Sequence, residues 1–203
     1  MRTQRILLLV ASTCLSYGGV SAAAKSESHA FPRTITVTHP EREGDESKAS
    51  TLRCNGTSPC EWGVFGIDLY QVALYLEAPS RNGREVIESD QVKHLELRFS
   101  RSLSKKLMQR AYRASFRANT KQDPDPFRQR IDQFVRLIPT VRKGDRLAFT
   151  CFPGQGLEIR LGKTMLGRIP GDDFGRLFFR LYVGPVPPTK MVRRGLLGLS
   201  GNA

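Results

Sequence analysis

Four basic residues, Lys106, Arg110, Arg113 and Arg117, recur at steps of four, three and four, the spacing of one face of an α-helix. Such a stripe is either a solvated helix face or a contact for a carboxylate, a phosphate or an anionic membrane surface. Arg128, Arg130 and Arg136 extend the basic character into the next segment. Cys54 and Cys60 bracket Asn55-Gly56-Thr57-Ser58-Pro59, a run that favours a tight turn, and in an oxidising compartment the pair is a candidate disulfide. Cys151, inside Ala148-Phe149-Thr150-Cys151-Phe152, is then left over and reads as a buried structural thiol. His29, His39 and His94 have no ligand spacing with the cysteines, so no metal is expected. Asp68, Gln71 and Glu77 flank an apolar segment, but no Ser/His/Asp or Cys/His set forms around them. Residue types alone therefore assign no catalytic residue and no cofactor.

The elements that would hold these groups follow from periodicity and breakers. Ile35 to Thr38 reads as a short strand and Glu41 to Lys48 as a solvated loop. Val64 to Leu76 reads as a long strand or a bent pair, with Gly66 as a bulge or bend, and His94 to Ser100 alternates as a half-buried strand. Ser102 or Ser104 opens a helix reaching about Asn119, with Leu107, Ala111, Ala114 or Ser115, and Ala118 on its apolar face. Asp123-Pro124-Asp125-Pro126 breaks it. A second helix places Phe127, Ile131, Phe134 and Ile138 on one side, and Pro139 ends it. Arg146–Phe152, Gly156–Leu161 and Thr164–Ile169 form a β-meander across two tight turns. Asp172 or Asp173 caps a helix stopped at Gly184-Pro185, and Thr189 starts a last one through Leu197. Strands grouped before and after helical pairs give an α+β fold, a mainly antiparallel sheet with helices on one face.

Arg2 and Arg5, the apolar run Ile6 to Val10 and the small residues Val20 to Ala24 have the order of a secretory signal. Residues 1–22 are read as a signal peptide, with cleavage as late as Ala24. The product is then exported: periplasmic from a Gram-negative source, otherwise secreted. Removing residues 1–22 takes two arginines and no acid from a formal net charge of +13. The strong cationic excess that remains draws anionic partners without specifying them. Nucleic acid is not expected, because no aromatic-basic recognition module is visible. Residues 23–50 read as a loosely ordered segment with one short strand, and residues 51–203 as a single domain.

Three collinear stretches resemble the chalcone-isomerase-like family: Tyr70-Gln71-Val72-Ala73-Leu74-Tyr75-Leu76, Phe152-Pro153-Gly154-Gln155-Gly156-Leu157, and Phe174 onward with Val183-Gly184-Pro185 and Leu196-Leu197-Gly198. The resemblance covers roughly Leu52 to Gly198. It implies an open-faced β-sandwich, a large antiparallel sheet backed by helices with a cleft between them. In the family's plant isomerases a phenolate adds to an enone within that cleft, and related members are thought to hold fatty acids there. The family's arginine falls near Ser58 to Trp62, where none is present. Its strand threonine falls on Tyr70, its tyrosine and asparagine near Leu103 and Arg110, and its last polar residue near Leu181.

The resemblance thus implies a chalcone isomerase-like protein that has lost the catalytic set. The expected function is binding of a fatty acid or similar small amphiphile. Tyr70, Tyr75, Phe99, Phe116 and Leu181 either line the cleft or belong to the core, and Arg110 would place a cation at its mouth to meet a carboxylate. Two other readings stand beside this one. One is an isomerase- or lyase-type enzyme acting on a small molecule. The other is a docking subunit of an envelope complex, using Lys106, Arg110, Arg113 and Arg117.

Overall fold

The computed structural model describes residues 30–40, 48–62, 66–120 and 125–200. The expected signal peptide and the loop from Glu41 lie outside them. Seven strands form one curled antiparallel sheet in strict sequence order: β1 (Thr34–Thr38), β2 (Ala49–Trp62), β3 (Ile67–Leu76), β4 (Lys93–Phe99), β5 (Arg146–Phe152), β6 (Gly156–Leu161) and β7 (Thr164–Ile169). Among the described residues five α-helices accompany it: α1 (Gly83–Glu88), α2 (Lys105–Asn119), α3 (Arg128–Leu137), α4 (Asp172–Val183) and α5 (Lys190–Leu196). This is the expected α+β architecture.

Because side chains alternate along a strand, each row across the sheet has a single fate. Val72, Leu97, Leu147 and Leu161 form one row, and Leu74, Leu95, Phe149 and Ile159 the next; both join the core beneath the helices. Phe134 of α3 centres that core, its ring 5.8 Å from Phe149 and 5.7 Å from Phe178 of α4. The offset row, Tyr75, His94, Thr150 and Glu158, lies on the other face. There Leu52, Ala73, Tyr75, Val92 and Phe152 make a smaller core under the curl of β1 and β2. Burial depresses the His94 pKa to about 4, and the ring is held 2.8 Å from the Thr150 hydroxyl.

Several expectations are corrected. The stretch around Asn55 to Pro59 is not a turn; it continues β2 along β3, so Cys54 and Cys60 lie on one strand. Six residue steps of extended chain separate them by roughly 20 Å, and both thiols are free. The intervening residue types have other causes. Asn55 donates to the carbonyls of Leu196 (2.7 Å) and Ser80 (3.0 Å) and accepts from the Ser80 amide. Gly56 faces Gly195 of α5 so closely that a Cβ on either would collide with the opposing backbone. β1 pairs with β2 over five positions, so the domain begins before residue 51. Gly171, not an aspartate, precedes α4; Asp172 accepts from the Gly154 amide, and Asp173 makes a double hydrogen bond to Arg130. Helix α1 was not expected.

Candidate functional site

Helix α2 begins at Ser104, whose hydroxyl accepts from the Leu107 amide. Its core face is Met108, Tyr112 and Phe116, one residue round from the stripe that periodicity favours. Two apolar stripes run side by side here, and the one with the larger side chains takes the core. On one flank α2 is tied to α3: Gln109 donates to the Val135 carbonyl at 2.8 Å, and Arg113 pairs with Asp132 at 2.6 Å. The other flank carries Leu107, Ala111, Ala114 and Ser115. Leu107 is 52% exposed, and the small residues after it leave the space between helices unfilled.

That space is a cavity of about 860 Å³, within the usual range of small-molecule sites. Leu107, Met108, Ala111, Tyr112, Ala114 and Ser115 of α2 make one wall; Leu181, Tyr182, Pro188 and Thr189 make the other. Cys60, Leu69, Tyr70 and Leu97 of the sheet form the floor, and Glu61 and Arg110 bring charge to its lining. Arg110 is the one cation lining it among the described residues.

The floor is not uniformly apolar. The hydroxyls of Tyr112 and Tyr182 are 3.1 Å apart, and the Tyr70 hydroxyl shares a hydrogen bond with the thiol of Cys60, its cross-strand partner. Burial pushes the pKa of Tyr70, Tyr112 and Tyr182 upward, with the Cys60 and Tyr112 neighbours adding to the effect on Tyr70. The Cys60 thiol is also raised by burial. These groups stay protonated and act as hydrogen-bond donors.

Of the residues expected to line a cleft, Tyr70, Arg110 and Leu181 meet in this cavity. Three do not. Phe99 stands behind Tyr70, ring centroids 5.8 Å apart, and Phe116 is buried against Phe134 and Phe174. Tyr75 is on the opposite face of the sheet: β3 has no bulge against β4, and an odd separation of five from Tyr70 puts it there. Tyr112, Tyr182 and Cys60 were not foreseen as cavity residues. Lys106 and Arg117 are exposed, whereas Arg113 is engaged with Asp132. Among the described residues no group of His, Cys, Asp and Glu gathers that could hold a metal ion.

The positions implied for the family's catalytic groups, Tyr70, Leu103, Arg110 and Leu181, all line the cavity. A family model described as chalcone isomerase-like matches residues 36–198. Among solved structures, the chain is similar to a fatty-acid binding protein of Arabidopsis thaliana. The TM-score is 0.62 at 18% identity, covering 79% of this chain and 96% of that one. At that identity the likeness is one of fold. No curated protein matches the sequence.

Proposed function

The chain belongs to the chalcone isomerase-like family, and from that premise we propose that it binds a fatty acid or similar amphiphile between α2 and the α4–α5 wall. The observation that carries this reading is the cavity itself: largely apolar walls, a volume suited to an alkyl chain, and the Arg110 guanidinium on its lining. The fold shared with a protein named for fatty-acid binding supports it. So do the residues at the implied catalytic positions, which include neither the threonine nor the asparagine of the isomerases. Calorimetric titration with dodecanoate tests it. Binding is expected, and Arg110→Gln is expected to weaken it about tenfold, as for a lost charge-assisted hydrogen bond at a partly wet rim. A wild-type protein that shows neither heat nor a rise in melting temperature overturns the proposal.

One observation favours the isomerase- or lyase-type reading. The protonated tyrosine hydroxyls at the floor are donors of the kind that stabilise an enolate. Recovery of an added hydroxylated enone unchanged after long incubation would remove it.

Export is part of the same proposal, supported by the order of charged, apolar and small residues up to Ala24. Protein recovered from expressing cells is expected to begin at Ala23 or Lys25; an N-terminus at Met1 counts against export. Exposed Lys106 and Arg117, on the helix that also presents Leu107, suit an anionic membrane surface or an envelope partner as the place where ligand is exchanged.

A further inference from the structure

We infer that the cavity takes a two-ended ligand, an amphiphile with an anionic group at Arg110 and an uncharged oxygen acceptor at the buried tyrosine cluster. This rests on the binding reading above and specifies the chemistry of its ligand. The inference follows from counting hydrogens. Tyr70, Tyr112, Tyr182 and Cys60 each carry one polar hydrogen. Tyr112 and Tyr182 satisfy each other with one bond, which leaves one O–H over. Tyr70 and Cys60 do the same, which leaves one more hydrogen over, on the hydroxyl or on the thiol.

Around them stand Leu69, Leu97, Leu103, Met108 and Leu181, none with a side-chain acceptor of any strength; the hydroxyls of Ser115 and Thr189 also line the cavity, but neither is bonded to these tyrosines, and Thr189 accepts from the Val192 amide. Glu61 is the carboxylate lining the cavity, but it is exposed and its Oε2 lies beside Gly66. No described residue is bonded to either spare hydrogen. A donor left without an acceptor in an apolar site costs free energy that a ligand oxygen would recover.

The charge of that oxygen is also constrained. No cation lines the floor, and burial there already disfavours ionised tyrosine. A carboxylate brought among these hydroxyls would be desolvated without a counter-ion. A carbonyl, ether or hydroxyl oxygen would not. The anionic end is therefore assigned to Arg110, and the inner end to a neutral oxygen such as a terminal hydroxyl or ketone.

The test compares straight-chain carboxylates with their ω-hydroxy counterparts over a series of chain lengths, by calorimetry on the full mature protein. At the length that spans the cavity, the ω-hydroxy acid is expected to bind roughly five- to tenfold more tightly than the plain acid, the effect of one neutral hydrogen bond. In Tyr112→Phe/Tyr182→Phe, which keeps the ring volumes, the ratio of the two affinities is expected to fall to near one. If the double variant does not fold, the ω-methoxy acid, which accepts a hydrogen bond but cannot donate one, serves instead: on the wild type it is expected to bind more tightly than the plain acid of equal length, and no such gain overturns the inference. If plain acids bind and the added hydroxyl weakens binding at every length, this inference falls while the binding proposal stands. A preference that survives in the folded double variant also overturns it. If neither class binds, both fall.

Discussion

Ala111→Trp is expected to lower the affinity for dodecanoate by about 100-fold or more while leaving the unliganded fold intact. Ala111 lies between Leu107 and Ser115 on the open flank of α2 and lines the cavity. Its side chain points away from the Met108, Tyr112 and Phe116 face that holds the helix on the sheet. An indole there would occupy space that the cavity reading gives to the alkyl chain. Excluding three or four methylenes at about 0.8 kcal/mol each removes roughly 3 kcal/mol of burial, or about two decades in affinity. The cost to the helix is small, about 0.5 kcal/mol of propensity. Calorimetry and thermal melting on one preparation separate the two effects. A variant that melts normally and binds dodecanoate like the wild type would show that the chain lies elsewhere.

The family motif made the fold legible, because the meander, the helix pair and the terminal helices each carry strong periodicity and clear breakers. What failed was local chemistry whose cause is tertiary. Asn55, Gly56 and Pro59 have turn propensities, yet each serves a long strand. Asn55 joins β2 to the β3–α1 connection and α5, and Gly56 admits the backbone of Gly195. Pro59 falls where β1 no longer pairs with β2, so no ladder on that side needs its missing amide hydrogen.

The site was legible in outline for a different reason. Tyr70, Arg110 and Leu181 came from the family's motif positions, and positions persist even when the residues there change. Tyr75 had no such anchor, and strand parity alone would have excluded it, since five is odd. The tyrosine cluster was hidden because Tyr112 and Tyr182 belong to core faces of their helices, where an aromatic ring is the common occupant. Only the packing shows that their hydroxyls meet at a cavity floor.

Lys93→Met is expected to destabilise the protein by about 3–5 kcal/mol, because it strips the charged donor from three backbone carbonyls at roughly 1–2 kcal/mol each. Lys93 is 2% exposed, and its ammonium donates to the carbonyls of Val86 (3.1 Å), Ile87 (3.1 Å) and Ser89 (2.8 Å). Those are the last carbonyls of α1 and the residue that follows it. A helix of six residues does not form alone, so α1 depends on its ends. Asn82 accepts from the Arg84 amide at the start, and Lys93 gathers the orphan carbonyls at the finish. Between them Gly83 presses against the Val183 carbonyl of α4, and Val86 enters the core. Burial lowers the lysine's pKa, the expected mark of a cation held for its hydrogen bonds in a dry place. Methionine keeps most of the apolar stem and removes the ammonium, with its donors and its place 5.6 Å from the Phe179 ring centroid. At about 2–4 °C per kcal/mol for a chain of this size, the melting temperature should fall by roughly 10 °C. Lys163→Met, at an exposed lysine in the β6–β7 turn, should change stability by no more than about 0.5 kcal/mol. Equal melting temperatures for the two variants would mean that α1 is held by packing, with the three carbonyls satisfied by water.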